Sequence, residues 1–172
     1  SAFMQGVALS VARRGSPVLI FSLEMPRIEI GMRVLASGSG VSLSHMSRGL
    51  MTQAAWDAAL AAAQDASNLK VFIEDDASMT VQRLIEMAGR IKREHGLGAL
   101  FVDYAQLLKS EVRSDSRERE VAEVSRDLKR AAKQLDVPIV ALAQFNRDSV
   151  KGGTQRAPTI ADLRESGQME QD

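Results

Sequence analysis

Cysteine is absent from the 172-residue sequence. Its absence excludes disulfides, thiolate zinc sites and a cysteine nucleophile, and it suits a reducing, cytoplasmic interior. Histidine occurs only at positions 45 and 95, a separation that makes a histidine metal site improbable. Aromatic residues are 4% of the chain, which argues against a base-stacking platform for single strands. No apolar run approaches the ~18 residues of a membrane span, and the N-terminus lacks a signal-peptide pattern. Charge of one sign is missing as well: 22 Lys and Arg balance 22 Asp and Glu. The chain is therefore no polybasic binder, and any nucleic-acid contact must come from a local patch.

What remains is an ordinary folding composition, with 45% hydrophobic and 26% charged residues. The length points to about one domain, over residues 1–172, with no internal repeat or low-complexity tract. Apolar spacing predicts a helix over 2–14, ended by Gly15. Residues 17–23 form a short β-branched and aromatic run, read as a buried strand. A helix is expected over 26–36, with Pro26 at its first position and Glu29 in its first turn. The Gly- and Ser-rich stretch 36–51 reads as irregular. Thr52 then caps a helix to about 66, with Trp56 and Leu60 on its apolar face. The expected pattern continues with a strand over 69–73, an amphipathic helix over 80–95 and a strand over 99–102. A polar loop over 109–119 is followed by a helix marked by Val121, Val124, Leu128, Ala131 and Leu135, then a strand over 137–143. This alternation argues for an α/β fold, a mostly parallel sheet with helices on both faces. Ligands of such sheets bind beyond the carboxyl ends of the strands.

Each apolar strand ends in a polar residue. The first ends in Glu24, the second in Glu74, Asp75 and Asp76, the third in Asp103 and the fourth in Gln144. Leu100-Phe101-Val102-Asp103 has the Walker B form, in which the carboxylate serves Mg²⁺ and the metal bridges nucleotide phosphates. By itself the pattern equally describes an Asp that opens a loop or caps a helix, and that bland reading is the better one in isolation. Glu24 reads as a base for the water that attacks ATP, or as an acid stabilised at the start of the following helix. Gln144 reads as a γ-phosphate sensor or as a strand-end residue bonded to backbone. The acidic run 74–76 is read as a solvated loop, the methionines at 25, 32, 46, 51, 79, 87 and 169 as core filler, and the histidines as surface or helix-end residues.

Taken in order, these motifs resemble the ATPase domain of the bacterial replicative DNA helicase family, the DnaB type. Val18-Leu19-Ile20-Phe21-Ser22-Leu23-Glu24-Met25 is similar to the family's strand with the catalytic glutamate. Leu100-Phe101-Val102-Asp103-Tyr104-Ala105-Gln106-Leu107-Leu108 is similar to its Walker B segment, and Glu123-Val124-Ser125-Arg126-Asp127-Leu128-Lys129 to the helix that follows. Val137-Pro138-Ile139-Val140-Ala141-Leu142-Ala143-Gln144-Phe145-Asn146-Arg147 resembles the sensor strand. Asp162-Leu163-Arg164-Glu165-Ser166-Gly167-Gln168-Met169-Glu170-Gln171-Asp172 resembles the last motif, with Gln168-Met169 where Ser-Ile is usual.

The resemblance implies a RecA-like P-loop NTPase core, ATP and Mg²⁺ as cofactors, and a ring of six copies that unwinds duplex DNA. It implies that Glu24 activates water, that Asp103 serves Mg²⁺, and that Gln144 couples the γ-phosphate to DNA. Arg164, Glu165 and Gly167 match the loop that holds single-stranded DNA by its phosphates. Primase and a helicase loader are the implied protein partners, and no membrane is implied. Nowhere in the chain is there a G-x-x-x-x-G-K-[ST] motif. Ser1-Ala2-Phe3 resembles the residues just after its Gly-Lys, which makes Ser1 the hydroxyl ligand of Mg²⁺. The arginine-finger region is likewise missing. The expectation is a piece of a longer helicase, truncated at both ends and inactive alone. Alternatives are a recombinase-like relative that assembles on DNA without unwinding, and a regulatory module that docks into a helicase ring.

Overall fold

The core is a sheet whose middle strands are apolar on both faces. A computed structural model describes residues 1–109 and 117–144. In chain order the elements are α1 (Ala2–Arg13), β1 (Val18–Ser22), α2 (Arg27–Ser39), α3 (Leu43–Ser47), α4 (Gln53–Ser67), β2 (Val71–Glu74), α5 (Val81–His95) and β3 (Ala99–Asp103). A short 3-10 helix (Ala105–Leu107), α6 (Arg117–Leu135) and β4 (Ile139–Ala141) complete the described fold. The strands lie in the order β2-β1-β3-β4, and every pairing is parallel.

Alternation along the strands sorts the side chains into two cores. Val18, Ile20, Ala99 and Phe101 meet Met4, Ala8 and Ala12 of α1. Leu19, Phe21, Leu100 and Val102 face the other way and meet Leu84, Ala88 and Ile91 of α5 and Val124, Leu128 and Leu135 around α6. All five residues of β1 and all five of β3 are buried, which is why both read as unbroken apolar runs rather than alternating ones. Burying each large side chain of this set contributes about 1.5–3 kcal/mol.

The α/β architecture and the parallel sheet agree with the sequence reading, and three local expectations are corrected. Pro26 is the N-cap of α2, with extended backbone at ψ 147°, and the first helical residue is Arg27. Proline serves there because no intrahelical N–H is needed from a capping residue. The stretch 36–51 is not irregular throughout: α2 runs on to Ser39, and α3 follows. The glycine within this extension is a contact. A Cβ on Gly38 would lie 3.2 Å from the Ala62 Cβ of α4, so small residues let the two helices approach closely.

Thr52 does cap α4, its hydroxyl accepting from the Ala55 N–H at 3.2 Å. The apolar face assigned to α4 is nonetheless turned outward, with Trp56 57% and Leu60 61% exposed. The side that packs is the alanine side, where Ala59 is buried. Among the methionines read as core filler, Met79 is wholly buried, and Met25, Met32, Met46, Met51 and Met87 are half-buried; Met169 lies outside the described residues. The loop expected over 109–119 lies mostly outside them too, and α6 begins within it, at Arg117.

Candidate functional site

Because β1, β3 and β4 are adjacent and parallel, their carboxyl ends open on one rim of the sheet. Strand order reverses direction between β1 and β3, since β1 leads outward to β2 while β3 leads outward to β4. That reversal is where open α/β sheets form their ligand crevice.

Asp103 closes β3 and stands opposite Ser22 in the β1–β3 register. The Leu23 N–H donates to the Asp103 carbonyl at 2.9 Å, so the ladder runs to the residue before Glu24. Asp103 is only 4% exposed, whereas Glu24 is exposed. The turn carrying Glu24 is tied at both sides. Ser22 Oγ donates to the Met25 carbonyl at 2.7 Å. Just beyond, the Arg27 N–H donates to Asp75 Oδ2 at 2.8 Å, and Arg27 Nε lies 3.3 Å from Asp75 Oδ1. Asp75 thus satisfies an orphan amide at the start of α2 from a different loop.

On the far side, the Leu142 N–H donates to the Val102 carbonyl and the Ala105 N–H to the Leu142 carbonyl, both at 2.9 Å. Gln144 follows, exposed, with its backbone bonded to the Gln106 side chain. Ser1 is the N-cap of α1, and its backbone nitrogen lies 4.0 Å from Asp103 Oδ2. The rim therefore brings Ser1 against Asp103, with Glu24 following the strand on one side of Asp103 and Gln144 following the strand on the other. Arg164, Glu165 and Gly167 lie outside the described residues.

The donor chemistry at Asp103 suits a hard cation: a buried carboxylate beside a residue that carries a hydroxyl. Among the described residues no group of three or more His, Cys, Asp and Glu could hold a metal. A cation here would take few protein ligands and complete its shell with water and phosphate, the habit of Mg²⁺ in nucleotide sites. The start of the twelve-residue α1 at the same rim adds the positive end of a helix dipole, favourable to an anion.

The acidic run after β2 divides by role. Asp76 accepts from the Ser78 N–H at 2.8 Å and the Ser78 hydroxyl at 2.7 Å. These bonds, with the Arg83 guanidinium at 2.9 Å, hold its carboxyl below the usual carboxylate range. Asp76 is thus a loop residue, in keeping with the solvated-loop reading. The same reading covers Asp75, yet Asp75 anchors the turn next to Glu24. The sequence carries no local signal for that, because its partner is 48 residues away. Gln106 stands in the sequence only as part of the Walker B-like segment, although a Gln inside an apolar segment is a visible signal.

Comparison with known proteins decides the family. The family model for the DnaB-like helicase C-terminal domain matches residues 1–172. The chain belongs to the DnaB-like helicase C-terminal domain family. It is 40% identical over 174 aligned residues to the replicative DNA helicase DnaB of Leifsonia xyli, covering 96% of this chain and 37% of that protein. Against the replicative DNA helicase DnaB of Geobacillus stearothermophilus, identity is 37%, covering 100% of this chain and 38% of that protein. The chain therefore spans under two-fifths of the length of these relatives. Its fold is similar to the ATPase domain of G40P, with a TM-score of 0.92, 31% identity, and coverage of 99% of this chain and 61% of that one. A DnaB-like replicative helicase, whose structure was described with its interactions with primase, matches with a TM-score of 0.92 and 31% identity, over 99% of this chain and 42% of that one. The RecA-like fold of the DnaB-like family is thus established for this chain. Among the described residues no helix is long and apolar enough to cross a membrane.

Proposed function

We propose that this chain is the nucleotide-hydrolysing core of an ATP-dependent replicative DNA helicase, which couples hydrolysis to movement along single-stranded DNA and to strand separation. The carrying observation is the placement of Asp103 at the carboxyl end of β3, with Glu24 and Gln144 just beyond the carboxyl ends of its neighbours β1 and β4.

On this reading Glu24, exposed at the rim on a turn tied by Ser22 and Asp75, takes the proton from the attacking water. Mg²⁺ would be held by Asp103 and the Ser1 hydroxyl, and when bound it neutralises charge on the β- and γ-phosphates. Gln144 senses the γ-phosphate and passes its presence to the DNA side. Arg164 would hold DNA phosphates together with the backbone around Glu165 and Gly167, without reading bases. A ring of six copies, a primase partner, a loader and a cytoplasmic setting belong to the same proposal. The primase partner is supported by the relative described with primase; the ring, the loader and the cytoplasmic setting rest on the family resemblance alone.

The test is a pair of assays on the intact protein that carries this chain: ATP hydrolysis with and without single-stranded DNA, and displacement of the strand from a 5′-tailed duplex. DNA-stimulated hydrolysis together with displacement is the expected result. Hydrolysis without displacement rejects the helicase and favours a recombinase-like motor.

A further inference from the structure

β4 is only three residues long, Ile139–Ala141, yet it has to deliver Gln144 to the rim. Its ladder with β3 covers Leu100↔Ile139, Phe101↔Val140 and Val102↔Ala141. Leu142 makes the last backbone bonds, its N–H donating to the Val102 carbonyl and its carbonyl accepting from the Ala105 N–H. Beyond that, β3 has ended at Asp103 and the chain turns into the 3-10 helix Ala105–Leu107. Backbone pairing for Gln144 is thus no longer on offer from β3. A side chain supplies it instead. Gln106 Nε2 donates to the Gln144 carbonyl at 3.1 Å, and the Gln144 N–H donates to Gln106 Oε1 at 3.3 Å.

The chemistry explains the residue type. A primary amide sets an N–H donor beside a carbonyl acceptor in a single plane, as a peptide does. Reciprocal bonding to both backbone groups of one residue therefore copies a strand rung. Glutamate could accept but not donate, and leucine or methionine could do neither. Gln106 is 8% exposed and its bonds to Gln144 are part-buried, so water competes for them only in part, and a buried amide left unpaired is costly. Because the backbone of Gln144 takes the bonds, its side chain stays exposed at the rim. Gln106 also lies three residues after Asp103 on the same segment, so one amide ties the segment with the metal-binding carboxylate to the segment with the sensor.

We propose that Gln106 is a positioning residue that sets Gln144 in register with Asp103, and that the response of hydrolysis to DNA depends on it. The proposal rests on the reading of Gln144 as the coupling residue, and the experiment separates the two. In the intact protein, Gln106→Met keeps the volume and removes the two bonds to the Gln144 backbone; Gln144→Ala removes the sensor side chain. The ratio of DNA-stimulated to DNA-free hydrolysis is measured for each variant and for the pair, with kcat and KM for ATP resolved. The expected result is a drop of tenfold or more in that ratio for either variant, carried by kcat with KM within about threefold. The double variant should be no worse than Gln144→Ala alone, which is the signature of a residue whose effect on stimulation passes through Gln144.

A stimulation ratio kept within twofold in Gln106→Met, while Gln144→Ala loses it, overturns the positioning role and leaves the sensor intact. An unaffected Gln144→Ala overturns the sensor reading and the positioning role with it. Additive losses point to general structural damage and also reject the proposal. If Gln106→Met does not fold, amide hydrogen exchange on the unmodified protein decides. A protected Gln144 amide supports the pair, and exchange at the unprotected rate rejects it.

Discussion

Ser22 and Asp103 face each other as the final register pair of β1 and β3, and the next amide along, that of Leu23, donates to the Asp103 carbonyl at 2.9 Å. This pairing carries the Walker B strand and the glutamate strand to the same height. Glu24 leaves the sheet within one residue of the last shared hydrogen bond. Hydrogen-bonded strands hold such positions more firmly than loops do, which a site assembled from separate segments requires.

Replacing Glu24 with Gln in the intact protein removes the proposed base but keeps the shape. Hydrolysis is expected to fall by ~10²–10⁴-fold, while the dissociation constant for ATP changes by only a few-fold. Single-turnover kinetics alongside fluorescent-nucleotide binding would measure both. A rate within a few-fold of the original would assign the proton transfer elsewhere.

Asp75→Ala removes the acceptor for the Arg27 amide at the start of α2. The expected cost is about 1 kcal/mol, the usual magnitude for a lost helix cap. Arg27 is 73% exposed, so the ion-pair part is small. Asp75→Asn keeps an acceptor oxygen and should recover most of the loss. Urea midpoints of the three forms make the comparison, and an Asn form as unstable as the Ala form would mean that charge rather than the hydrogen bond matters.

Phe101 is 1% exposed and packs with Met4, Ala8 and Ala12. Phe101→Ala should destabilise the chain by about 3–5 kcal/mol. Val140 on the edge strand is 43% exposed, so Val140→Ala should cost much less. Equal losses at the two positions would contradict the burial difference between the central and edge strands.

Asp76 supplies a pH test with a defined sign. Its folded carboxyl is held low, first by the Ser78 hydroxyl and amide and then by Arg83. The stability it contributes is therefore fully present above the ordinary carboxylate value, about 3.9. That contribution is lost as the pH falls through the lowered folded value. Ser78→Ala should move the Asp76 titration upward, as followed by carboxyl NMR. An unmoved titration would place the cause in Arg83.

The strand-by-strand apolar runs, the Thr52 cap and the polar residue closing each strand are legible in the sequence, because all are local patterns. Family membership was legible for the same reason: its motifs are contiguous stretches at compatible spacing. Periodicity misplaces the outward face of α4, because it marks a stripe without saying what covers it. Trp56 and Leu60 have the spacing of a core stripe, but α2 meets the alanines instead.

By itself, then, the order of residues determined the alternating α/β elements and which side chains sit at strand ends, since hydrogen bonding and apolar periodicity act over a few residues. Tertiary structure alone decided that β3 lies between β1 and β4. It also decided that Asp75 anchors the turn of Glu24 and that Gln106 takes up the backbone of Gln144. Those pairings join residues 48 and 38 positions apart, and they exist only once burial of the two apolar faces has stacked the strands in that order.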